Sequence, residues 1–210
     1  MFQKLEEGYW RIASVLANAV RDQQYRSLLI SGTARGDGAT TVTLQAASRL
    51  VAKYNIRPLV VELDFWRPRF VKKFRLNKER TIDSVFGGRL CIGEIVQDTS
   101  AGFPVVAAAA RRSPPKGDIT PLLGRIITEL GPQADIVLVD TPPLLTHAAM
   151  LTVGSVVPRM ILVVRAGRTS SEVVSRVQRE AKNVNIELIG TVLNKHRRYM
   201  PGWLYRYFKR

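Results

Sequence analysis

The chain has 210 residues, 46% of them hydrophobic, so it can bury one sizeable core, and its composition indicates neither disorder nor a fibrous repeat. A single cysteine excludes an internal disulfide framework, and no apolar run approaches the roughly 20 residues that cross a bilayer. We therefore expect a cytoplasmic protein that is at most peripheral to the inner membrane. The formal net charge of +15 predicts an acidic partner: nucleic acid, anionic lipid or an acidic protein.

Residues 4–22 predict an amphipathic helix, because apolar residues recur every three or four positions. After it, apolar runs rich in β-branched residues alternate with helical stretches. The predicted strands are 28–31, 59–63, 105–107, 136–140, 160–164 and 188–193, and the predicted helices are 40–53, 117–130 and 169–182. This alternation indicates an α/β fold with a doubly wound, mostly parallel sheet flanked by helices. We expect an N-terminal amphipathic helix over 1–26, the α/β domain over 27–195 and a C-terminal tail over 196–210.

The first predicted strand runs into a glycine-rich turn that opens a helix, the pattern of a phosphate-binding loop. Its residues are Arg35, Gly36, Asp37, Gly38, Ala39, Thr40 and Thr41. In an intact P-loop a lysine follows the last glycine and reaches the β- and γ-phosphates, and the next Ser or Thr binds magnesium. Ala39 takes the position of the lysine here, while Thr40 keeps that of the metal ligand. The loop therefore predicts a nucleotide site that lacks one of its main charges.

Carboxylates end two other predicted strands. Glu62 and Asp64 close the second strand two residues apart, which would place them on one side of an extended chain, and Asp140 closes the fourth. Functional loops of a parallel sheet gather at the carboxyl ends of the strands, so we expect these acids beside the loop, where they can order Mg²⁺ and its waters. Asp140 fits the acid of a Walker-B element. A salt-bridged carboxylate at a strand end is the alternative for each acid taken alone.

Together these motifs resemble the bacterial tyrosine kinases (BY-kinases), whose cytoplasmic domains work with polysaccharide co-polymerases in capsule and exopolysaccharide production. The matching segments are 35–41, 62–68, 140–143 and 190–195. The resemblance covers essentially the whole chain and extends to the partitioning ATPases. It implies a P-loop NTPase-like fold that binds ATP or ADP with Mg²⁺. It further implies catalytic Asp64 and Asp140, the metal ligands Thr40, Glu62, Asp64 and Asp140, and nucleotide contacts from the loop, Arg67 and Asn194.

The chain departs from the family pattern at positions that carry function. Ala39 replaces the loop lysine, Arg35 a proline, Glu62 the first aspartate of the second motif and Trp66 its first arginine. Removing one preorganised donor typically costs about 10²- to 10³-fold in rate, so we expect weak or absent kinase turnover. Nucleotide binding can persist, because backbone N–H groups and a helix N-terminus supply much of the phosphate affinity.

The chain has two basic segments, of which the first is expected beside the predicted nucleotide site. Residues 67–75 follow the second strand, and the tail from Lys195 onward carries six basic residues, no acids and several aromatics. Basic residues mixed with aromatics suit a lipid headgroup interface, and a solvated basic segment is the alternative in both places. By resemblance, Tyr199, Tyr205 and Tyr207 of the tail are the candidate phosphorylation sites.

Three residues with potential metal or nucleophilic chemistry fall outside these motifs. His147 and His196 lie far apart and lack the spacing of a metal site, so we expect solvated or core histidines. Cys91 lies in a helix-like apolar stretch, and we expect it to pack in the core.

Three functions compete at this point. The leading hypothesis is a cytoplasmic pseudokinase that responds to nucleotide and regulates polysaccharide polymerisation and export by docking to a Wzz-like membrane polysaccharide co-polymerase, as a homo- or hetero-oligomer. The first alternative is an active ATP-dependent tyrosine autokinase that phosphorylates its own tail. The second is a partitioning-type ATPase relative that binds DNA through its basic surface, although we expect no specific nucleic acid partner.

Overall fold

The computed structural model of the protein describes residues 2–109, 117–147 and 152–195, with side chains from residue 8 onward. In this part of the chain a seven-stranded sheet has the spatial order β3-β4-β2-β5-β1-β6-β7. The strands are β1 (Ser27–Gly32), β2 (Pro58–Glu62), β3 (Val96–Asp98), β4 (Pro104–Val106), β5 (Ile136–Asp140), β6 (Arg159–Arg165) and β7 (Glu187–Asn194). The helices are α1 (Phe2–Arg21), α2 (Ala39–Tyr54), α3 (Phe70–Phe74), α4 (Ile82–Phe86), α5 (Thr120–Leu130) and α6 (Ser171–Asn183).

The predicted doubly wound, mostly parallel sheet is confirmed. Every pair of neighbouring strands is parallel except β3 and β4, which pair antiparallel at one edge. The six predicted strands and the predicted long helices are found within a few residues of their expected bounds. The sequence analysis missed β3, α3 and α4, because segments of three to five residues are too short to show a period.

Helices cover both faces of the sheet and build two apolar layers. Along β1, Leu28 and Ile30 pack into the layer under α1 and α2, whereas Leu29 packs into the layer under α5 and α6, as alternating side chains of a strand must. Both faces of the central strands are therefore buried, which is why their sequences are continuously apolar. Burying each such side chain contributes about 1.5–3 kcal/mol.

The N-terminal helix α1 is amphipathic and joins the same core. Ala13, Leu16 and Ala17 are fully buried against α2, while Val15 is 62% exposed on the opposite side. In the described residues, no helix combines the length and the apolarity that a bilayer crossing requires. The predicted unit bounds at 26/27 and 195/196 stay predictions, and the tail with Tyr199, Tyr205, Tyr207 and His196 lies outside the described residues.

Candidate nucleotide site

The loop between β1 and α2 is held in shape by its own aspartate. Asp37 is 2% exposed, and its Oδ2 accepts hydrogen bonds from the Thr33 amide (3.0 Å), the Thr33 hydroxyl (2.5 Å) and the Ala34 amide (2.8 Å). Gly36 and Gly38 have φ angles of +88° and +99°, in the left-handed region that glycine adopts without strain. The Asp37 side chain thus faces into the loop, which leaves the backbone as the surface that can meet a ligand.

Helix α2 begins directly after this turn and presents its N-terminus to the site. Gly38 is the N-cap of this 16-residue helix, and its first turn contains no acid that would compete for the free N–H groups. Such a helix end carries partial positive charge and binds phosphate through those N–H groups. Ala39 and Thr40 are partly exposed here and Thr41 is exposed. The structure therefore has the backbone arrangement that can bind an anion, a glycine turn at the start of a helix, with Ala39 at the position expected for the lysine.

Asp140 lies beneath the first turn of α2. Its Cα is paired with those of Ile30 in β1 and Glu62 in β2, so the end of β5 stands between the other two strand ends. The carboxyl is 1% exposed, its Oδ1 accepts from the Thr43 hydroxyl at 3.5 Å, and its Oδ2 has no hydrogen-bond partner among the described residues. Burial raises the pKa of Asp140 to about 7, although the Thr40 hydroxyl opposes the shift; the Asp64 charge adds to it. A buried, partly unsatisfied carboxyl suits a cation.

Glu62 has different surroundings from Asp64, although the sequence suggests that they share one side. The Glu62 carboxyl is 1% exposed and accepts the backbone N–H groups of Arg69 (2.5 Å), Phe70 (3.2 Å) and Ala108 (3.3 Å). Burial raises the pKa of Glu62 to about 8, against the effect of these donors. Asp64 lies past the strand end, where its Oδ1 accepts the Arg67 amide at 3.1 Å. The metal role of Glu62 stays a prediction.

The raised pKa values predict how stability depends on pH. In the folded state Glu62 holds its proton up to about pH 8 and Asp140 up to about pH 7. Their stabilising contribution to the free energy of unfolding is therefore complete below the unfolded pKa values near 4. This contribution is lost as the pH rises through the folded pKa values of about 7 and 8. We expect the free energy of unfolding to fall by a few kcal/mol between about pH 5.5 and 8.5, with a smaller fall in Asp140→Asn. Urea denaturation in metal-free buffer measures this.

Asp98→Asn is the matched control, because Asp98 is exposed and lies on the edge strand β3. It should keep the slope of the unmodified protein. Equal slopes in all three proteins would show that Asp140 is ionised over the whole range, contrary to the burial argument.

The donors that surround Asp140 fit magnesium. The Thr40 hydroxyl and the Asp140 carboxyl offer oxygen ligands, with Asp64 near enough for its charge to act on Asp140. The described residues contain no group of three or more His, Cys, Asp or Glu side chains that could hold a metal by themselves. Mg²⁺ is commonly held by one or two carboxylates together with substrate phosphates, so this small set is sufficient. Thr40 and Asp140 would hold the ion, which would neutralise phosphate charge when bound.

The end of β7 closes the loop from the other side. The Asn194 amide Nδ2 donates to the Asp37 carbonyl at 2.7 Å, and its Oδ1 accepts the Lys195 amide at 2.8 Å. A Cβ at Gly38 would overlap this amide group, so the glycine is required for the close approach. The structure thus brings Asn194 to the loop backbone. Arg35 and Arg67 are exposed at the rim of the site.

An aromatic pair that the sequence does not predict lies at the same rim. Trp66 stacks on His147 with ring centroids 3.6 Å apart and an angle of 19° between the planes. Burial lowers the pKa of His147, the Arg35 charge lowers it further, and Asp64 opposes them, so the imidazole is near both residues. The spacing of His147 gives no signal for this, because the two rings follow different strands, β2 and β5, which are neighbours only in the folded sheet. Cys91 was predicted to pack in the core and is exposed instead, at the start of a short 3₁₀ turn.

A basic groove of about 480 Å³ adjoins the first turn of α2. It is lined by Thr40, Thr41, Leu44, Gln45, Pro68, Arg69, Lys72 and Lys73. Its cations come from the segment around α3, whose start is held by the Glu62 carboxyl. The groove is therefore shaped and charged to receive an anionic group next to the loop.

The sheet, the glycine loop that opens α2 and the aspartate at the end of β5 define a P-loop NTPase-like protein. The fold is similar to that of the VpsO kinase domain, with a TM-score of 0.76, 19% identity and coverage of 91% of this chain and 96% of that one. It is also similar to cobyrinic acid a,c-diamide synthase from Mycobacterium smegmatis with bound ADP and magnesium, with a TM-score of 0.66, 18% identity and coverage of 80% and 73%. No family model matches the chain.

Sequence relatives specify the class further. The tyrosine-protein kinase YwqD of Bacillus subtilis is 24% identical over 92% of this chain and 84% of its own length. The tyrosine-protein kinase etk of Escherichia coli and a tyrosine-protein kinase in the cps region of Klebsiella pneumoniae are each 23% identical over 84% of this chain. The chain spans 24% of the length of these two relatives. In sequence and in fold the chain is thus similar to the bacterial tyrosine kinases, the resemblance that its motifs indicate.

Proposed function

We propose that this chain is a nucleotide-responsive regulator of exopolysaccharide or capsule production, a BY-kinase relative whose kinase turnover is strongly reduced. The observation that carries the proposal is a P-loop whose backbone is fully formed around Asp37, with Ala39 in place of the lysine. The loop thus has the backbone that would bind a nucleotide but lacks the lysine charge that would accelerate phosphoryl transfer. The protein would report nucleotide state rather than transfer phosphate efficiently.

Several features support nucleotide binding. The loop offers free N–H groups at the positive end of α2, and Thr40 and Asp140 offer oxygen ligands for Mg²⁺. Cobyrinic acid a,c-diamide synthase, a protein of similar fold, holds ADP and magnesium in its crystal structure. Loss of the lysine removes a full positive charge from the site where negative charge develops in the transition state. This loss mainly lowers the rate of phosphoryl transfer.

The proposed partner is a membrane polysaccharide co-polymerase. The sequence relatives are bacterial tyrosine kinases, and one is described by its cps region. Because this chain matches about a quarter of two of these relatives, the remainder of such a system would have to come from another chain or segment. The net charge of +15 and the basic groove favour an acidic docking surface, on the partner or on anionic lipid.

Calorimetric titration of the purified protein with Mg·ADP and Mg·ATP tests the nucleotide part. We expect micromolar affinity, abolished in Gly38→Trp, whose side chain would overlap Asn194 and fill the loop. Since Gly38→Trp is also strained at φ +99°, Thr40→Ala serves as a second variant that should keep the fold and weaken only magnesium-dependent binding. No binding up to millimolar nucleotide would contradict the proposal and leave a docking scaffold.

Mass spectrometry of the same protein after incubation with ATP tests the reduced turnover. We expect little phosphotyrosine. Rapid phosphorylation of the tail that Asp64→Asn abolishes would show an active autokinase and overturn this part of the proposal.

A further inference from the structure

A lysine from another part of the fold reaches the loop that lacks its own. The Lys195 ammonium donates to the Gly36 carbonyl at 2.7 Å, at the tip of the loop. The Cε of the same side chain lies 3.9 Å from the position of a Cβ on Gly38. The side chain therefore extends across the two glycines of the phosphate-binding turn.

The backbone is built to hold Lys195 in this place. Asn194 is the last residue of β7, paired in register with Arg165 at the end of β6. Its side chain binds the Asp37 carbonyl and the Lys195 amide, which fixes the start of the lysine against the loop. Lys195 itself has φ +55°, an unusual conformation for a residue with a side chain. These contacts direct the lysine towards the loop instead of along the strand.

The ammonium retains the capacity to bind a ligand. A lysine has three N–H donors, and the Gly36 carbonyl uses one of them. Lys195 is exposed, and within the described residues the Gly36 carbonyl is the one hydrogen-bond acceptor found for its ammonium. Its flexible four-carbon stem allows the charge to follow an arriving phosphate without moving the backbone.

We propose that Lys195 supplies to the phosphates of a bound nucleotide the positive charge that Ala39 cannot supply. The ligand class is a nucleoside di- or triphosphate, bound by the loop N–H groups with the Lys195 ammonium on a phosphate oxygen. This inference rests on the proposed nucleotide binding and assigns one residue to it. Lys195 would then have a different role from the other basic residues of the C-terminal tail, with which its sequence position groups it.

The test is competition binding of AMP, ADP and ATP to the full chain, with a fluorescent ADP analogue as the probe. Lys195→Met should weaken the affinity for ADP and for ATP by about tenfold or more, as expected for loss of a charge-assisted hydrogen bond. The loss for AMP should be smaller, and Lys195→Arg should recover part of the affinity. Lys182→Met is the matched control, because Lys182 is an exposed lysine in the last turn of α6, at the opposite end of the sheet.

The way in which the loss of affinity depends on the number of phosphates distinguishes a charge role of Lys195 from a structural role. If Lys195 only held the loop in shape, Lys195→Met would weaken all three nucleotides equally and lower the thermal unfolding temperature, and this outcome would overturn the inference. Equal binding by Lys195→Met and Lys182→Met would overturn it too, while leaving the proposed function intact. Failure of the unmodified protein to bind any nucleotide would instead overturn the proposed function and the inference with it.

Discussion

Ala39→Lys is expected to convert this protein into a tighter nucleotide binder and a far better catalyst of phosphoryl transfer. Ala39 is the first residue of α2 and partly exposed, so a lysine stem can leave the helix without displacing core side chains. Its ammonium would place a full charge beside the phosphates that we propose the loop N–H groups bind. We expect about a 10²- to 10³-fold rise in ATP turnover, by the usual worth of a preorganised charge. Release of phosphate or formation of phosphotyrosine measures it.

Ala39→Met is the matched control, because methionine adds a flexible side chain of similar length without the charge. It should leave turnover at the level of the unmodified protein. If Ala39→Lys raises ATP affinity but not turnover, the other departures from the family pattern, Glu62 and Trp66 among them, also limit the reaction. If neither affinity nor turnover changes, the loop does not bind phosphate in the expected way.

Asp37→Ala is expected to cost both stability and nucleotide binding. The substitution removes the single oxygen that accepts two amides and a hydroxyl. Thr33 is buried and keeps only a longer amide contact to the Val163 carbonyl at 3.3 Å and a hydroxyl contact to Thr169 at 3.2 Å, whereas the Ala34 amide can turn to solvent. Losing a buried hydrogen-bond acceptor costs about 1–3 kcal/mol, so we expect a loss of that size in the free energy of unfolding. Urea denaturation measures the stability, and ADP titration measures the binding.

Asp37→Asn separates charge from geometry at the same position. Its amide oxygen can still accept hydrogen bonds, so the loss of stability should be about half as large or less. Nucleotide binding should survive in Asp37→Asn and be lost in Asp37→Ala. Normal nucleotide affinity in Asp37→Ala would show that the loop does not depend on the Asp37 contacts for its shape.

The architecture could be predicted because its signals are local and repeated. β1, β5 and β6 are continuously apolar since both of their faces are buried, and the glycine loop follows β1 directly in sequence. The position of Asp140 beside Thr40 could be predicted as well, because residues at the ends of parallel strands must meet at one edge of the sheet.

The details that the sequence analysis missed depend on long-range contacts. Glu62 is adjacent in register to Asp140, yet its oxygens accept hydrogen bonds from the amides of Phe70 and Ala108, eight and 46 residues away. These contacts depend on how the chain folds after β2, so they cannot be read from the residues around Glu62. The stacking of Trp66 on His147 requires the turn after β5. Lys195 belongs by sequence to a basic tail, and its contact with the loop is seen only when β7 is placed two strands away from β1.

The pairing of Glu62 with Asp140 has a thermodynamic consequence for the basic groove. The Asp140 charge raises the pKa of Glu62, so a cation bound at Asp140 would lower the pKa of Glu62. An ionised Glu62 accepts the amides of Arg69 and Phe70 more strongly, and these amides begin the helix that carries Lys72 and Lys73 into the groove. By linkage the effect would be reciprocal, so that an anion that stabilises this groove wall would tighten cation binding at Asp140. We therefore expect metal binding and anion binding in the groove to be coupled through the buried Glu62 carboxyl.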